Sequence, residues 1–268
     1  MHRTTTRLLN TAHRNLPASN RFSIHRWVSG LAGVWYVLVF AVSIMLPSLG
    51  LGQESPPPAD PIERKAATEA TFKLGILGNF LDSANNQVLS LASSEFAHRY
   101  AAAYQEADRG ALVSLFHAVA GANTDYMQVR FLDMHGRERV RIDRPKGKGE
   151  AKPIIVAAES MQDKGTKFYF QGPKSIPEGR LWHSRFNLNM EQGKIEEPIR
   201  PTFRVSTPVH VEGLFRGIVV INLAMDRIIE LLAHSSDFDV FLTDRDGEIL
   251  VHPEPDKSWS RYLPNRPG

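Results

Sequence analysis

Residues 126–143 read YMQVRFLDMHGRERVRID, and this stretch decides the fold. Apolar and polar residues alternate along Tyr126–Asp133 and again along Glu138–Asp143, and a period of two is typical of β-strands. The residues 134–137 between them include a glycine and supply a turn. The stretch therefore predicts an antiparallel hairpin.

The residues before this hairpin follow a helical period instead. A long helix is predicted from about residue 62 to 104, and a shorter one at 111–120. The long helix carries an apolar seam with spacings of three and four, formed by Leu74, Leu77, Leu81, Ala84, Val88 and Leu91. Such a seam fits both a dimer interface and packing within one chain.

The residues after the hairpin return to short extended segments. Strands are predicted at 167–170, 181–187, 202–211 and 217–223, followed by a helix at 225–233. Helices followed by an antiparallel sheet predict an α+β domain.

A second hairpin of similar sequence begins near residue 240. VFLTDRDGEILV at 240–251 resembles VRFLDMHGRERV at 129–140, and Asp133 and Gly136 correspond to Asp244 and Gly247. Aspartate and glycine both favour turns. Since few residues are shared, a structural repeat and a chance similarity both remain open. Residues 235–268 are too few for a closed sheet with a core, so we expect a second module cut short.

The N-terminal segment predicts a membrane anchor. No charged residue occurs from Trp27 to Gln53, and about 20 apolar residues in a helix span a bilayer core. The first 26 residues carry five arginines and no acid, which keeps that end in the cytoplasm. A cleavable signal and a buried soluble helix are the alternatives. The apolar run is longer than a signal core and lacks a polar face.

Composition excludes several classes of function. Without the five arginines of the tail, 27 of the 32 Lys and Arg residues remain against 29 acidic residues, so nothing indicates a nucleic-acid partner. The chain has no cysteine, which excludes a disulfide framework, a thiolate zinc site and a cysteine nucleophile. None of its ten histidines lies in a zinc-binding motif, and no Gly-x-Ser-x-Gly elbow occurs. We expect no catalytic residue, metal or cofactor.

Several motifs after the anchor resemble one family. They are FLDxxGRExVR at 131–141, FYF at 168–170, NLNMEQGKIE at 187–196, RVSTPV at 204–209 and RGIVVINL at 216–223. Behind an anchor and a long helix, they resemble the double Cache domain, a pair of PAS-like modules outside the membrane in bacterial receptors. The resemblance covers residues 62–268 and is closest to the sensor regions of histidine kinases and diguanylate cyclases.

The resemblance implies an organisation for the whole chain. In the family, the membrane-distal module holds a small-molecule pocket, and the proximal module leads to a second membrane helix and a cytoplasmic output domain. We therefore expect a cytoplasmic tail at 1–26, a transmembrane helix at 27–52, a linker at 53–61, a distal module at 62–234 and a truncated proximal module at 235–268. On this topology we expect the chain to be anchored in the inner membrane with its sensor region in the periplasm. We also expect it to form a homodimer.

Two departures from the family bear on the ligand. Amino-acid-binding members carry Arg-x-Trp-Tyr where this chain has Lys167-Phe168-Tyr169-Phe170. They also carry an aspartate for the ligand's amino group where this chain has Asn222. Because asparagine lacks the charge that pairs with an ammonium, these departures argue against an amino-acid ligand.

Five side chains are the predicted ligand contacts: Tyr169, Trp182, Arg185, Arg204 and Asn222. Trp182 offers a stacking face and Arg185 a cationic fork, and the pair would suit a carboxylate or another small anion. The alternative is that Trp182 lies in the core and Arg185 pairs with a nearby acid such as Glu191 or Glu196.

The predicted function is the ligand-sensing region of a bacterial transmembrane receptor whose output domain lies outside this chain. A histidine kinase is the first expected output, and a diguanylate cyclase or a chemoreceptor is the second. An anchored envelope enzyme and an interaction protein are the alternatives from other classes.

Overall fold

A computed structural model describes residues 60–145, 151–191 and 193–263. The predicted tail at 1–26 and the predicted membrane helix at 27–52 lie outside this part of the chain. Within the part that is described, none of the helices combines the length and the apolar character needed to span a bilayer.

The described residues form five α-helices. They are α1 (Pro61–Ala92), α2 (Glu95–Ala103), α3 (Glu106–Ala122), α4 (Phe168–Lys174) and α5 (Asp226–Ala233). The predicted helix at 62–104 is thus two helices. Ser94 separates them, because its hydroxyl accepts a hydrogen bond from Ala97 N at 3.2 Å and caps the start of α2.

The described residues also form eleven strands. They are β1 (Tyr126–Asp133), β2 (Glu138–Asp143), β3 (Ile154–Ile155), β4 (Trp182–His183), β5 (Asn187–Leu188), β6 (Met190–Glu191), β7 (Lys194–Ile195), β8 (Pro201–Val211), β9 (Leu214–Ala224), β10 (Leu242–Thr243) and β11 (Ile249–Val251). Seven of them form one antiparallel sheet in the order β3-β2-β1-β9-β8-β4, with β5 also pairing with β8. The α+β class is confirmed.

Two predicted strands are wrong in whole or in part. Residues 167–170 begin the helix α4, in which Tyr169, Phe170 and Pro173 are buried on one side. A short aromatic run fits both the helical period and the strand period, so the sequence pattern alone does not distinguish a helix from a strand here. The predicted strand at 181–187 breaks after His183, because the Ser184 hydroxyl takes the place of a backbone carbonyl and accepts from the backbone N–H of β8 at 2.9 Å.

The hydrophobic core lies between one face of the sheet and helices α1, α2 and α3. Val129 and Phe131 of β1 and Phe203 of β8 are fully buried there, and the Tyr100 ring of α2 lies 5.7 Å from the Phe131 ring. Five of the six residues in the apolar seam of α1 are buried or half-buried in this packing, whereas Leu74 is 44% exposed. Most of the seam therefore packs within the chain.

The second hairpin, β10–β11, reproduces the turn of the first. In each hairpin the aspartate Oδ1 accepts from the backbone N–H groups two and four residues later, at Asp133 in one and Asp244 in the other. Gly136 and Gly247 have φ values of 86° and 85°, where glycine meets no steric cost. The two hairpins therefore correspond in turn geometry as well as in sequence. The extent of a second module remains a prediction.

His183 gives the fold a pH dependence. Its ring lies on the core side of β4, with Nε2 2.7 Å from Asn85 Oδ1, and burial lowers its pKa from 6.5 to about 4. Because the folded chain favours the neutral ring, this stability is complete above pH 6.5 and is lost as the pH falls towards 4. We expect a loss of roughly 2 kcal/mol between pH 7 and 4.5.

The matched comparison is His183→Gln, which retains a hydrogen-bonding group and does not titrate. Urea unfolding of both chains at pH 7.0, 5.5 and 4.5 gives the difference in their pH slopes, because all other titrating groups are common to both. Parallel slopes would contradict this assignment.

Candidate functional site

The sheet face opposite the core helices carries buried polar side chains. Side chains alternate across a strand, so this face collects every second residue of β1, β8 and β9. In one row across the sheet, Val220 of β9 lies between Arg130 of β1 and Ser206 of β8. In the next row, Asn222 of β9 lies between Gln128 of β1 and Arg204 of β8. We call this surface the α4 face, defined by Gln128, Arg130, Arg204, Ser206 and Asn222. Helix α4 covers it with Tyr169 and Phe170, which are both buried.

Arg130 lies at the centre of a hydrogen-bonded network on the α4 face. Its side chain is buried, with one terminal nitrogen 3.2 Å from Glu138 Oε1. The other terminal nitrogen donates to Asn222 Oδ1 at 2.8 Å, and Asn222 Nδ2 donates to Gln128 Oε1 at 2.8 Å. A buried guanidinium requires such partners, because an unpaired buried charge is strongly unfavourable.

The carboxylates of this network also hold Arg141. Glu138 Oε2 lies 3.4 Å from an Arg141 nitrogen and accepts from the backbone N–H of Gln162 at 3.1 Å. Arg141 in turn donates to both oxygens of Asp143, at 2.7 and 2.8 Å. Both carboxylates therefore accept hydrogen bonds from guanidinium groups of the fold.

The Tyr169 ring of α4 lies close to two guanidinium groups. The ring centroid is 5.2 Å from Arg130 Cζ and 5.1 Å from Arg204 Cζ, within the range of cation–π attraction. Arg204 is buried and donates to Asn187 Oδ1 at 2.7 Å and to Asn189 Oδ1 at 3.4 Å. The α4 face thus offers an aromatic wall, two cations and amide groups, a combination that suits a small oxyanion.

The amino-acid sequence also matches a known family. Residues 79–267 fit the family model described as the bacterial histidine kinase sensor domain. The chain belongs to this family. The predicted sensory role is thereby confirmed, and no curated protein matches the sequence.

Solved structures share the fold of this sensor domain. A domain from Vibrio parahaemolyticus, assigned to the sensory box/GGDEF family, has a TM-score of 0.66 at 23% identity over 76% of each chain. The extracellular domain assigned to histidine kinase vpHK1S-Z8 has a TM-score of 0.65 at 23% identity, covering 76% of this chain and 72% of that one. The ligand-binding domain of Campylobacter jejuni chemoreceptor Tlp3, solved with 4-methylisoleucine, has a TM-score of 0.54 at 11% identity, covering 71% and 69%. The predicted Cache-type resemblance is confirmed.

The sensor domain brings four of the five predicted contacts to α4. Tyr169, Arg204 and Asn222 lie on or against the α4 face. Trp182 is half-buried at its rim, with its ring 6.0 Å from that of Phe168. Gly172 makes room for the indole, because a Cβ there would lie 2.2 Å from Trp182 Nε1.

Arg185 lies elsewhere in the sensor domain. Its side chain is 41% exposed and forms an ion pair with Asp246 of the turn between β10 and β11. The sequence predicted either a ligand contact or a pair with Glu191 or Glu196, and the partner is instead a residue 61 positions away. Trp182 and Arg185 are three positions apart, so even a continuous strand would direct their side chains to opposite faces.

Sequence reasoning missed Gln128, Arg130 and Ser206. The signal was present, because the alternation along β1 and β8 places these residues on the face opposite Val129 and Val205. A polar strand face is normally expected to face solvent, however. It is recognised as a buried site only when another element is known to cover it. Residues 167–170 were predicted as a strand, so the cover was not recognised.

Proposed function

We propose that this chain is the extracytoplasmic sensing region of a bacterial transmembrane receptor and that a small molecule binds on its α4 face. The observation that carries this proposal is the placement of two buried guanidinium groups, Arg130 and Arg204, against one aromatic ring. Burying two neighbouring cations is unfavourable unless hydrogen bonds and opposite charges compensate them, and an anionic ligand adds to that compensation.

The ligand of this proposal is a carboxylate or another small anion. Chemoreceptor ligand-binding domains of similar fold have been solved with amino acids such as 4-methylisoleucine and L-serine bound. An amino acid also presents an ammonium, and Asn222 stands where the resemblance implies an aspartate for that group. The Asn222 oxygen already accepts from Arg130 at 2.8 Å.

The proposal also includes a membrane anchor and a cytoplasmic output domain for the receptor. The uncharged segment at 27–52 would hold the chain in the inner membrane with residues 1–26 in the cytoplasm and the sensor in the periplasm. The family model supports a histidine kinase as the output, and the GGDEF relative supports a diguanylate cyclase as the second candidate. We expect the receptor to act as a homodimer, with the module limits 62–234 and 235–268 as above.

The segment 184–189 offers a route from the site to the second hairpin. Asn187 and Asn189 accept hydrogen bonds from Arg204, while Arg185 pairs with Asp246. Tyr262 also donates to the Phe186 carbonyl at 3.0 Å. A ligand that binds Arg204 competes with the asparagine oxygens, so binding would shift the position of this segment and of the hairpin that it contacts.

Thermal unfolding of the purified 268-residue chain tests the proposal. We expect a carboxylate from a panel of carboxylates, amines and nucleobases to raise the Tm by several degrees, since a ligand at 100 times its Kd stabilises by about 2.7 kcal/mol. Arg204→Met should abolish the shift, because it removes one of the two cations that lie against Tyr169. The control Arg99→Ala, which removes an exposed arginine of α2, should retain it. An equal shift in the Arg204 variant would refute this site.

A further inference from the structure

On the α4 face, Arg130 and Ser206 each carry a polar atom that has no hydrogen-bond partner among the residues that the structure describes. These atoms are Arg130 Nε and Ser206 Oγ. The two residues are 2% and 0% exposed, respectively. A buried donor without a partner is unfavourable, and native proteins keep few of them, so two on one covered surface require an explanation.

The two atoms belong to one row of the sheet. Ser206 of β8 is opposite Val220 of β9, and Val220 is opposite Arg130 of β1. Neighbouring strands are about 4.8 Å apart, so Ser206 and Arg130 are roughly 9.6 Å apart at their Cα atoms with Val220 between them. The side chains of all three residues lie on the same face of the sheet, and that of Arg130 is long enough to extend over the valine towards Ser206. The row therefore has Val220 as an apolar centre, which we call the floor, with a hydrogen-bond donor on each side.

The charges around this floor favour an acceptor without positive charge. Arg130, Arg141 and Arg204 lie on this side of the sheet, and the carboxylates of Glu138 and Asp143 already accept hydrogen bonds from arginines. An ammonium group would face guanidinium groups and would have to displace one of them from its carboxylate. A carboxylate meets donors that are already in place.

We infer that the ligand carries a carboxylate and no ammonium group, and that its carboxylate accepts hydrogen bonds from Arg130 Nε and Ser206 Oγ above Val220. This inference rests on the proposed sensory function and specifies its ligand. Tyr169 lies 5.2 Å from the Arg130 guanidinium, so the ligand has to move this ring and with it the start of α4. Ligand occupancy is thereby coupled to the position of the helix that covers the site.

The test uses three sets of compounds that share a skeleton. They are propionate, propionamide and alanine; 3-phenylpropionate, its amide and phenylalanine; and succinate, succinamide and aspartate. Binding to the purified 268-residue chain is measured by calorimetry at one pH and ionic strength. We expect at least one carboxylate to bind, and its amide and amino-acid analogues to bind at least 10-fold more weakly.

Ser206→Ala removes the proposed donor without breaking a hydrogen bond of that hydroxyl to the described residues. Its Kd for the binding carboxylate should rise roughly 10- to 100-fold, because one hydrogen bond to a charged group is lost. Its ligand-free Tm should not fall, because the hydroxyl has no described partner to lose. The control is Thr207→Val, which removes the next hydroxyl along β8, one that donates to the Arg180 carbonyl at 2.7 Å. That variant should bind the carboxylate as the unaltered chain does.

The outcomes separate this inference from the proposed function. Equal affinity in Ser206→Ala, or binding of an amino acid in preference to its carboxylate analogue, overturns the inference and leaves a small-molecule sensor in place. Binding of none of the nine compounds overturns the inference, and it overturns the proposed function too if the wider panel of carboxylates, amines and nucleobases also gives no shift.

Discussion

Replacing Glu138 with alanine should lower the free energy of unfolding by about 3–5 kcal/mol, because it leaves two buried guanidinium groups without their shared carboxylate. Glu138 lies within hydrogen-bonding distance of Arg130 and Arg141, and it also accepts from the backbone N–H of Gln162. The site should be affected too, since Glu138 holds Arg130 where its other terminal nitrogen reaches Asn222. Urea unfolding at pH 7 measures the change.

An exposed ion pair provides the matched control for this substitution. Glu106→Ala removes a carboxylate that is 82% exposed and lies 3.2 Å from Arg109, so we expect a cost below about 1 kcal/mol. Glu138→Gln keeps an acceptor and the approximate shape, and its cost should fall between the two. Equal costs for Glu138→Ala and Glu106→Ala would show that burial does not strengthen this network.

Local pattern and turn chemistry were enough to predict the long strands. The strand predicted at 202–211 is Pro201–Val211, and the one at 217–223 is part of Leu214–Ala224. The hairpin at 126–143 forms as expected because alternation and a glycine turn are local properties. The pairing of β1 with β9 joins residues about 90 positions apart. No local pattern specifies such a pairing, so the sheet order could not be predicted.

The candidate site was only partly predictable for the same reason. Tyr169, Arg204 and Asn222 were predicted from the family resemblance, and they lie together. Arg130 was missed because its side of β1 looks solvent-facing until α4 is placed over it. Arg185 was misplaced because its ion pair with Asp246 joins residues 61 positions apart, and no local pattern encodes such a contact. Burial of a polar strand face depends on tertiary packing, which strand alternation does not encode.

Gly217→Ala should destabilise the fold by roughly 2–4 kcal/mol, from backbone strain and steric overlap together. Gly217 has a φ of 153°, and a Cβ at this position would lie 2.2 Å from the backbone carbonyl oxygen of Leu132. Leu132 belongs to the neighbouring strand β1, so relief of this overlap requires the two central strands to separate. The same pairing places Arg130 opposite Val220, and the variant should therefore also weaken carboxylate binding on the α4 face.

Gly110→Ala is the control for the added methyl group. Gly110 lies within α3, and a Cβ there meets no atom within 4 Å, so alanine should stabilise the helix by about 0.5–1 kcal/mol. The two substitutions make the same chemical change, and we expect opposite signs in urea unfolding. If the β1–β9 pairing forms after the transition state of folding, the loss of stability in Gly217→Ala should appear mainly as faster unfolding. If the pairing is already formed in the transition state, the loss should appear mainly as slower folding. A Gly217→Ala chain as stable as the parent would contradict this prediction and would show that β1 and β9 tolerate a wider separation.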